Sequence, residues 1–334
     1  MDSLTQIVLG AAVGEAVLGK KVGNKAMLYG AIAGTIPDLD TFVGYAYDTI
    51  TATEIHRGFS HSIVFSVLFA PVFGWLISKI ESKSAATWKN WSWLMFLGLF
   101  THPLLDAHTT WGTQLFWPFD LRLAYKNIFV IDPLYTLPFL VLLIMAMRLK
   151  RDDPKRRKYN RLGLIISSIY LLLITPALKW MTYNKFENAL EEQSISYQKI
   201  DTRPAPMNSI LWSANIEAKD HFLIADYSIF DTKPISFQEV PKNLEFADSL
   251  AGDPNLKRLI DISEGWYTFS EKNEQLYFND LRFGKLDMND PDAPFIFSFL
   301  LQEENGELTA TESERSMEDA ESLLPELWSR ILGN

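Results

Sequence analysis

Trp91-Ser92-Trp93-Leu94-Met95-Phe96-Leu97-Gly98-Leu99-Phe100-Thr101-His102-Pro103-Leu104-Leu105-Asp106-Ala107-His108 decides the reading of this chain. An apolar run that approaches the ~20 residues needed to cross a bilayer ends in an imidazole and a carboxylate. His102 and Asp106 are spaced i, i+4, so they share one helix face. Ionisable groups are costly beside a bilayer and mark function there by default. The stretch predicts a spanning helix with a polar site at its end.

Two other polar elements stand at the ends of apolar runs. Pro37-Asp38-Leu39-Asp40 closes one, and His56-Arg57-Gly58-Phe59-Ser60-His61 opens another. Four of the chain's five histidines lie in the two histidine-bearing signatures. Imidazole with carboxylate is the ligand set of a zinc or similar divalent-metal site.

Six apolar stretches stand out, at about 3–19, 25–37, 62–80, 91–106, 129–149 and 162–181. The first two are short and rich in Gly and Ala, which suits close helix packing in a membrane. Met1–Gln6 has no basic segment ahead of the first run, so that run is read as a span and not as a cleaved leader. Basic residues concentrate in alternate links: Lys20, Lys21 and Lys25; Lys79, Lys83 and Lys89; and eight between Arg148 and Arg161. Positive links lie on the cytoplasmic side. About six spans, the first two short, then put Asp38, Asp40, His56, His61, His102 and Asp106 in one layer at the outer face of the cytoplasmic membrane. Gln6 and Asp132 join that layer. Glu15 lies toward the inner end of the first span near Lys20, where it snorkels or pairs, and it receives no role. The Thr110–Phe119 segment is rich in Trp and Phe and reads as an interfacial belt or as the wall of an apolar cleft.

The chain's 334 residues divide unequally in charge. Residues 1–181 carry 18 Lys and Arg against 12 Asp and Glu; residues 182–334 carry 13 against 29. The expected organisation is a mainly α membrane bundle over 1–181, followed by an extracytoplasmic, soluble α+β domain over 182–334. Nucleic acid is not expected as a partner, because phosphate repels the acidic half. The absence of cysteine excludes disulfides and thiolate metal sites. In the second half, 209–217 and 221–230 read as a hairpin with Lys219-Asp220 at its turn. Gln275–Phe278, Arg282–Leu286 and Pro294–Gln302 read as further antiparallel strands. Met317–Leu332 reads as an amphipathic helix with Ala320, Leu323, Leu324, Leu327, Trp328 and Ile331 apolar. His221 reads as a surface or turn histidine.

The Pro-Asp-Leu-Asp element, then His-Arg-Gly-Phe-Ser-His-Ser from His56, then His-Pro-Leu-Leu-Asp from His102 with Thr-Trp-Gly-Thr-Gln-Leu following, resemble the bacterial membrane-bound metal-dependent hydrolases, some of them described as LexA-regulated. The likeness covers roughly residues 1–150. It implies a multi-pass inner-membrane protein with a metal site and a hydrolase assignment. One departure is Gln6, where family members carry a histidine after a threonine. Either the site has one ligand fewer, or Asp2 or His108 substitutes.

The leading expectation is a metal-dependent hydrolase whose substrate is an ester or phosphoester, of a membrane lipid or lipid-like molecule. His56, His61, His102, Asp106 and one or both of Asp38 and Asp40 would bind one or two divalent ions, zinc foremost. A carboxylate outside the ligand set, Asp38 or Asp40, would serve as general base, and Arg57 would hold an anionic group of the substrate. The alternative is a non-catalytic membrane protein with a structural polar or metal cluster and a partner-binding outer domain. A transporter ranks last, since Glu15 is nearly alone in the inner leaflet.

Overall fold

The structure, a computed structural model, describes residues 1–250, 252–286, 293–304, 307–313 and 317–334. It divides into two compact units. One holds Met1–Val43, Ile55–Ala177 and Pro206–Asn208; the other holds Gly44–Glu54, Leu178–Ala205 and Ser209–Asn334.

The first unit is helical. It comprises α1 (Ser3–Val22), α2 (Asn24–Thr35), the start of α3 (Asp40–Gly44), the end of α4 (Thr49–Ile55), α5 (Ile63–Ile80), α6 (Trp88–Asp106), α7 (Pro133–Met147) and α8 (Pro154–Ile169). Short polar residues start these helices by accepting backbone N–H groups: Asp2 for α1, Ser62 for α5, Thr87 for α6, Asp132 for α7 and Asp153 for α8. A π turn, Tyr170–Ile174, joins α8 to α9 (Thr175–Glu192) in one 39-residue helix.

Helices α1 and α2 touch backbone to backbone. A methyl group added at Gly10 would stand 2.3 Å from the Gly30 carbonyl oxygen, and one at Gly34 would stand 2.5 Å from that of Gln6. Both helices carry a Gly-x-x-x-Gly pair, Gly10 with Gly14 and Gly30 with Gly34, which permits this approach. Gly98 of α6 rests on Ala33 in the same way, at 2.5 Å for an added methyl. One turn beyond Gly98, His102 is thereby set beside Gly34.

The packing is small inside and large outside. Ala11, Ala12, Ala26 and Ala33 are buried, while Val67, Leu68, Val72 and Trp75 of α5 and Leu137 and Val141 of α7 are exposed. Such continuous apolar exposure belongs against lipid. By length and composition, Ile63–Ile80 and the Pro154–Glu192 helix are long and apolar enough to cross a membrane, and Pro133–Met147 is a shorter apolar helix. Charged and polar side chains hold α1 and α6 below that measure.

Glu15 is fully enclosed, and its partner is Arg156 of α8, not Lys20. The guanidinium gives Nε to Glu15 Oε1 at 2.7 Å and Nη2 to Oε2 at 2.5 Å; its Nη1 donates to Asn24 Oδ1 at 2.7 Å and to the Leu149 carbonyl at 3.0 Å. The pair ties the first helix to the basic 148–161 segment.

The second unit has two antiparallel four-stranded meanders. The first is β1 (Lys199–Pro204), β2 (Leu211–Glu217), β3 (His221–Ser228) and β4 (Gln238–Pro241) in sequential order; the second is β5 (Tyr267–Lys272), β6 (Gln275–Asp280), β7 (Ser298–Glu304) and β8 (Glu307–Glu312). Lys219 and Asp220 form the β2–β3 turn, and His221 opens β3. Arg282–Leu286 is not a strand. Asp280 accepts from the Arg282 N–H and Gly284 takes φ +78, which makes a 3-10 turn at Leu281–Phe283. Helix α10 (Pro254–Ile262), started by Asp253, packs Leu256 and Leu259 against Phe269, Phe278 and Phe299. Ile50 lies in that core, because residues 44–54 fold with this unit. On α11 (Met317–Ile331), Leu327 and Ile331 pack on Ala205 and Leu211, whereas Leu324 and Trp328 face outward. The side chains of Ala320 and Leu323 lie outside the described residues.

Removing one member of a buried ion pair strands the other, at a cost of about 3–5 kcal/mol. Arg156→Ala is expected to lower the thermal midpoint in detergent sharply, and Glu15→Leu with Arg156→Leu to recover most of the loss.

Candidate metal centre

Three chain segments meet at the ends of α2, α5 and α6. Asp38 sits on the 3-10 turn Ile36–Leu39 that follows α2. His61 ends the short turn Phe59–His61 that leads into α5, and His102 and Asp106 occupy the last turns of α6. Asp38, His61, His102 and Asp106 each point one ligand atom at a common spot, and these atoms all lie within 4.8 Å of one another. His61 Nε2 is 3.1 Å from His102 Nε2, 3.3 Å from Asp38 Oδ1 and 3.4 Å from Asp106 Oδ2. His102 Nε2 is 3.3 Å from Asp38 Oδ1 and 3.2 Å from Asp106 Oδ2.

The tautomers follow from what the other ring nitrogens touch. His102 Nδ1 lies 2.6 Å from the Gly34 carbonyl, which can only accept, so Nδ1 carries the proton. His61 Nδ1 lies 2.9 Å from Ser60 Oγ and 3.2 Å from Asp40 Oδ2, and the Ser60 hydroxyl itself donates to Asp40 Oδ2 at 2.9 Å. His61 therefore also keeps its proton on Nδ1. Each neutral ring then presents an Nε2 lone pair to the same spot as two carboxylate oxygens. Asp106 Oδ2 is buried without a hydrogen-bond partner. With both rings neutral, four acceptors converge with no donor among them, and a cation, whether a metal ion or a proton, satisfies them.

The spacing fits a small divalent ion. Donors set tetrahedrally at about 2.0–2.1 Å from zinc stand roughly 3.3 Å apart; five of the six separations run from 3.1 to 3.4 Å, and all four atoms lie within 4.8 Å of one another. Metal-binding histidines commonly give their second N–H to a carboxylate or a backbone carbonyl, which fixes the ring. Asp40 and Gly34 do this here.

Behind the four, the remaining polar residues form a supporting layer. Asp40 Oδ1 stands 3.1 Å from His56 Nδ1, and its Oδ2 also accepts the Arg57 backbone N–H at 2.9 Å. Asp106 Oδ1 accepts from Gln6 Nε2 at 3.2 Å and from the Met1 amino nitrogen, and Arg57 Nη1 stands 3.6 Å away. Gln6 thus donates into the cluster, and neither Asp2 nor His108 is among the four converging side chains. Asp2 caps α1, and His108 Nδ1 meets Asn127 Oδ1 at 2.8 Å. Asp132 caps α7 and accepts the Tyr170 hydroxyl at 2.9 Å. The structure thus brings Asp38, His61, His102 and Asp106 together and places Asp40, His56 and Arg57 beside them.

Two contributors escaped the sequence reading. Ser60 lies inside the quoted motif, next to His61, which was a usable signal. The Gly34 carbonyl had only the glycine spacing of α1 and α2 to announce it.

The family described as YdjM inner membrane protein has a model that matches residues 1–181. The chain belongs to the YdjM inner membrane protein family. That membership makes it an inner-membrane protein, in line with the resemblance found in its motifs, and says nothing of hydrolysis. Every residue of the YdjM-matched cluster lies within the matched span, and β1 to β8 lie beyond it. No curated protein and no solved structure matches the chain.

Electrostatics agree with a site built for positive charge. Burial works against the charged form of Asp38, but His102 and His61 hold its carboxyl well below the usual range. Burial likewise opposes ionisation of Asp40, and His56 and His61 outweigh it. Burial alone would lower the His61 imidazole; Asp106, Asp38 and Asp40 push it up to about 9. With no metal ion among them, these carboxylates favour a proton on His61.

A divalent ion must displace that proton. Because the His61 pKa is raised, metal affinity should climb roughly tenfold per pH unit below about 9 and level off above it. Calorimetry at pH 7 in buffers of different ionisation heat is expected to show release of about one proton per ion. Asp40→Asn, which leaves the four converging side chains intact, is expected to weaken metal binding by roughly 10–100-fold.

Proposed function

We propose that this protein is a metal-dependent hydrolase of the cytoplasmic membrane, with a zinc-like ion held by Asp38, His61, His102 and Asp106. The observation that carries the reading is the convergence of four acceptors with no donor. Two imidazoles and two carboxylates suit zinc among the divalent ions. A metal in this place would acidify water toward neutral pH and polarise an ester or phosphoester.

The chain's own residues supply the rest. Asp38 is 23% exposed at its side chain, whereas those of His61, His102 and Asp106 are fully enclosed, so access runs along the Asp38 side. Asp40, engaged by His61, His56, Ser60 and the Arg57 N–H, orients the histidines. His56 is partly open to solvent with Nδ1 on Asp40, which leaves Nε2 to exchange a proton with substrate or water. Arg57 gives Nη1 to Thr109 Oγ1 at 2.8 Å, while its buried Nε has no hydrogen-bond partner and can take an anionic group.

A lipid or lipid-like substrate suits an inner-membrane protein whose Phe59, Trp117 and Phe119 are exposed next to the site in sequence. Membrane lipids are then both surroundings and partners. The reading also takes α1 and α2 as a short pair of spans and α5, α6, α7 and the α8–α9 helix as four more. The basic links face the cytoplasm, and the site and second unit face outward.

A second reading draws on the enclosure of three of the four side chains. Closed, fully protein-ligated sites are structural, and the protein would then be a non-catalytic scaffold with a partner-binding outer unit.

Elemental mass spectrometry on detergent-purified protein separates these. About one equivalent of zinc is expected, with loss in a His61→Ala/His102→Ala variant. Hydrolysis in an ester and phosphoester screen should fall on chelation, return with zinc, and drop at least a hundredfold in Asp38→Asn. Stoichiometric zinc whose removal unfolds the protein, with no chelator-sensitive hydrolysis, would favour the scaffold. Wild type that takes up no metal would sink both.

A further inference from the structure

Residues 44–54 lie between Asp38 and His61 in the chain, yet they fold with the C-terminal unit. Arg258 of α10 grips them within that unit. Its Nε donates to Glu54 Oε1 at 2.9 Å and its Nη2 to Glu54 Oε2 at 2.6 Å; the same Nη2 reaches Thr51 Oγ1 at 2.8 Å. Asn255 Oδ1 accepts from Nη1 at 3.0 Å and holds the guanidinium plane. One turn before Glu54, Ile50 is buried among Leu256, Leu259 and Phe269. A two-pronged guanidinium–carboxylate contact and an apolar plug therefore anchor the same helical turn, α4.

We propose that Arg258, with the socket for Ile50, is a positioning device for the metal centre. The proposal rests on the metal reading of the four-residue cluster. An unanchored segment between Asp38 and His61 loses chain entropy whenever it brings its ends together, and that cost grows with its length. Fixing α4 removes much of the cost in advance. The turn that Arg258 holds runs directly into His56 and Arg57. Arg57 N–H donates to Asp40 Oδ2, which stands 3.2 Å from His61 Nδ1. The path from the clamp to a ligand is thus a few residues of chain and two polar contacts.

Zinc alone, titrated against a competing chelator into the full-length protein in detergent, tests this. Arg258→Ala and Glu54→Ala are each expected to weaken zinc binding roughly two- to fivefold, the range of a part-exposed ion pair. The swapped Glu54→Arg/Arg258→Glu protein should return to within about twofold of wild type. Arg258→Lys keeps the charge but not the fork and should fall between. Hydrogen exchange should quicken over residues 44–61 in the single variants and recover in the swap. Wild-type zinc affinity in the single variants, together with faster exchange over 44–54, overturns the proposal. If the wild type itself takes up no zinc, the metal reading fails on its own. The clamp then stands or falls on exchange at His56–His61, and unchanged protection there in Arg258→Ala overturns it.

Discussion

Two imidazole lone pairs and two carboxylate oxygens, held about 3 Å apart in a buried place, repel one another until a positive charge sits among them. Two carboxylates a few ångströms apart at an effective dielectric near 20 cost about 4 kcal/mol. A fold tolerates that only if something else holds the groups in place. Here a backbone carbonyl, a side-chain network and a helix share the holding. The Gly34 carbonyl orients His102, the Asp40 network orients His61, and the helix itself fixes Asp106 one turn from His102.

That backbone can reach the site only because α1, α2 and α6 come unusually close. Gly10, Gly14, Gly30 and Gly34 remove side chains where the first two helices cross, and Gly98 does the same for α6 against Ala33. In lipid, where burial of apolar surface gives helices no reason to associate, such close approach and internal polar contacts hold them together. The Glu15–Arg156 pair adds such a contact at the other end of α1. The stretch of chain that looks least like a membrane span is thus the one that aligns the site.

Local signals were legible. His102 with Asp106 at i, i+4, the acidic turn at Asp38, the motif ending in His61 and the β2–β3 hairpin are each written within a few residues. What escaped involves distant partners. Glu15 was judged against Lys20, five positions away, when its cation lies on α8. Nothing local in residues 44–54 says that Ile50 belongs to a core built from residues 256–310. Arg282–Leu286, expected as a strand, is turned by the Asp280 cap and the positive φ of Gly284. Strands β1, β4, β5 and β8 were missed. Alternation is blurred in β1 by Thr202, Arg203 and Pro204, and β5 ends in exposed charges.

The Glu15–Arg156 pair also bears on how the protein is made. Its members are separated by 141 positions, so the carboxylate leaves the ribosome long before its counter-ion exists. An unpaired carboxylate in hydrocarbon is expensive. Until α8 is made, Glu15 lacks the guanidinium that it faces in the folded unit. Helix α1 can therefore take up this contact only after α8 has been synthesised. The tie between the first helix and the basic 148–161 segment is thus a late one, closed by Arg156.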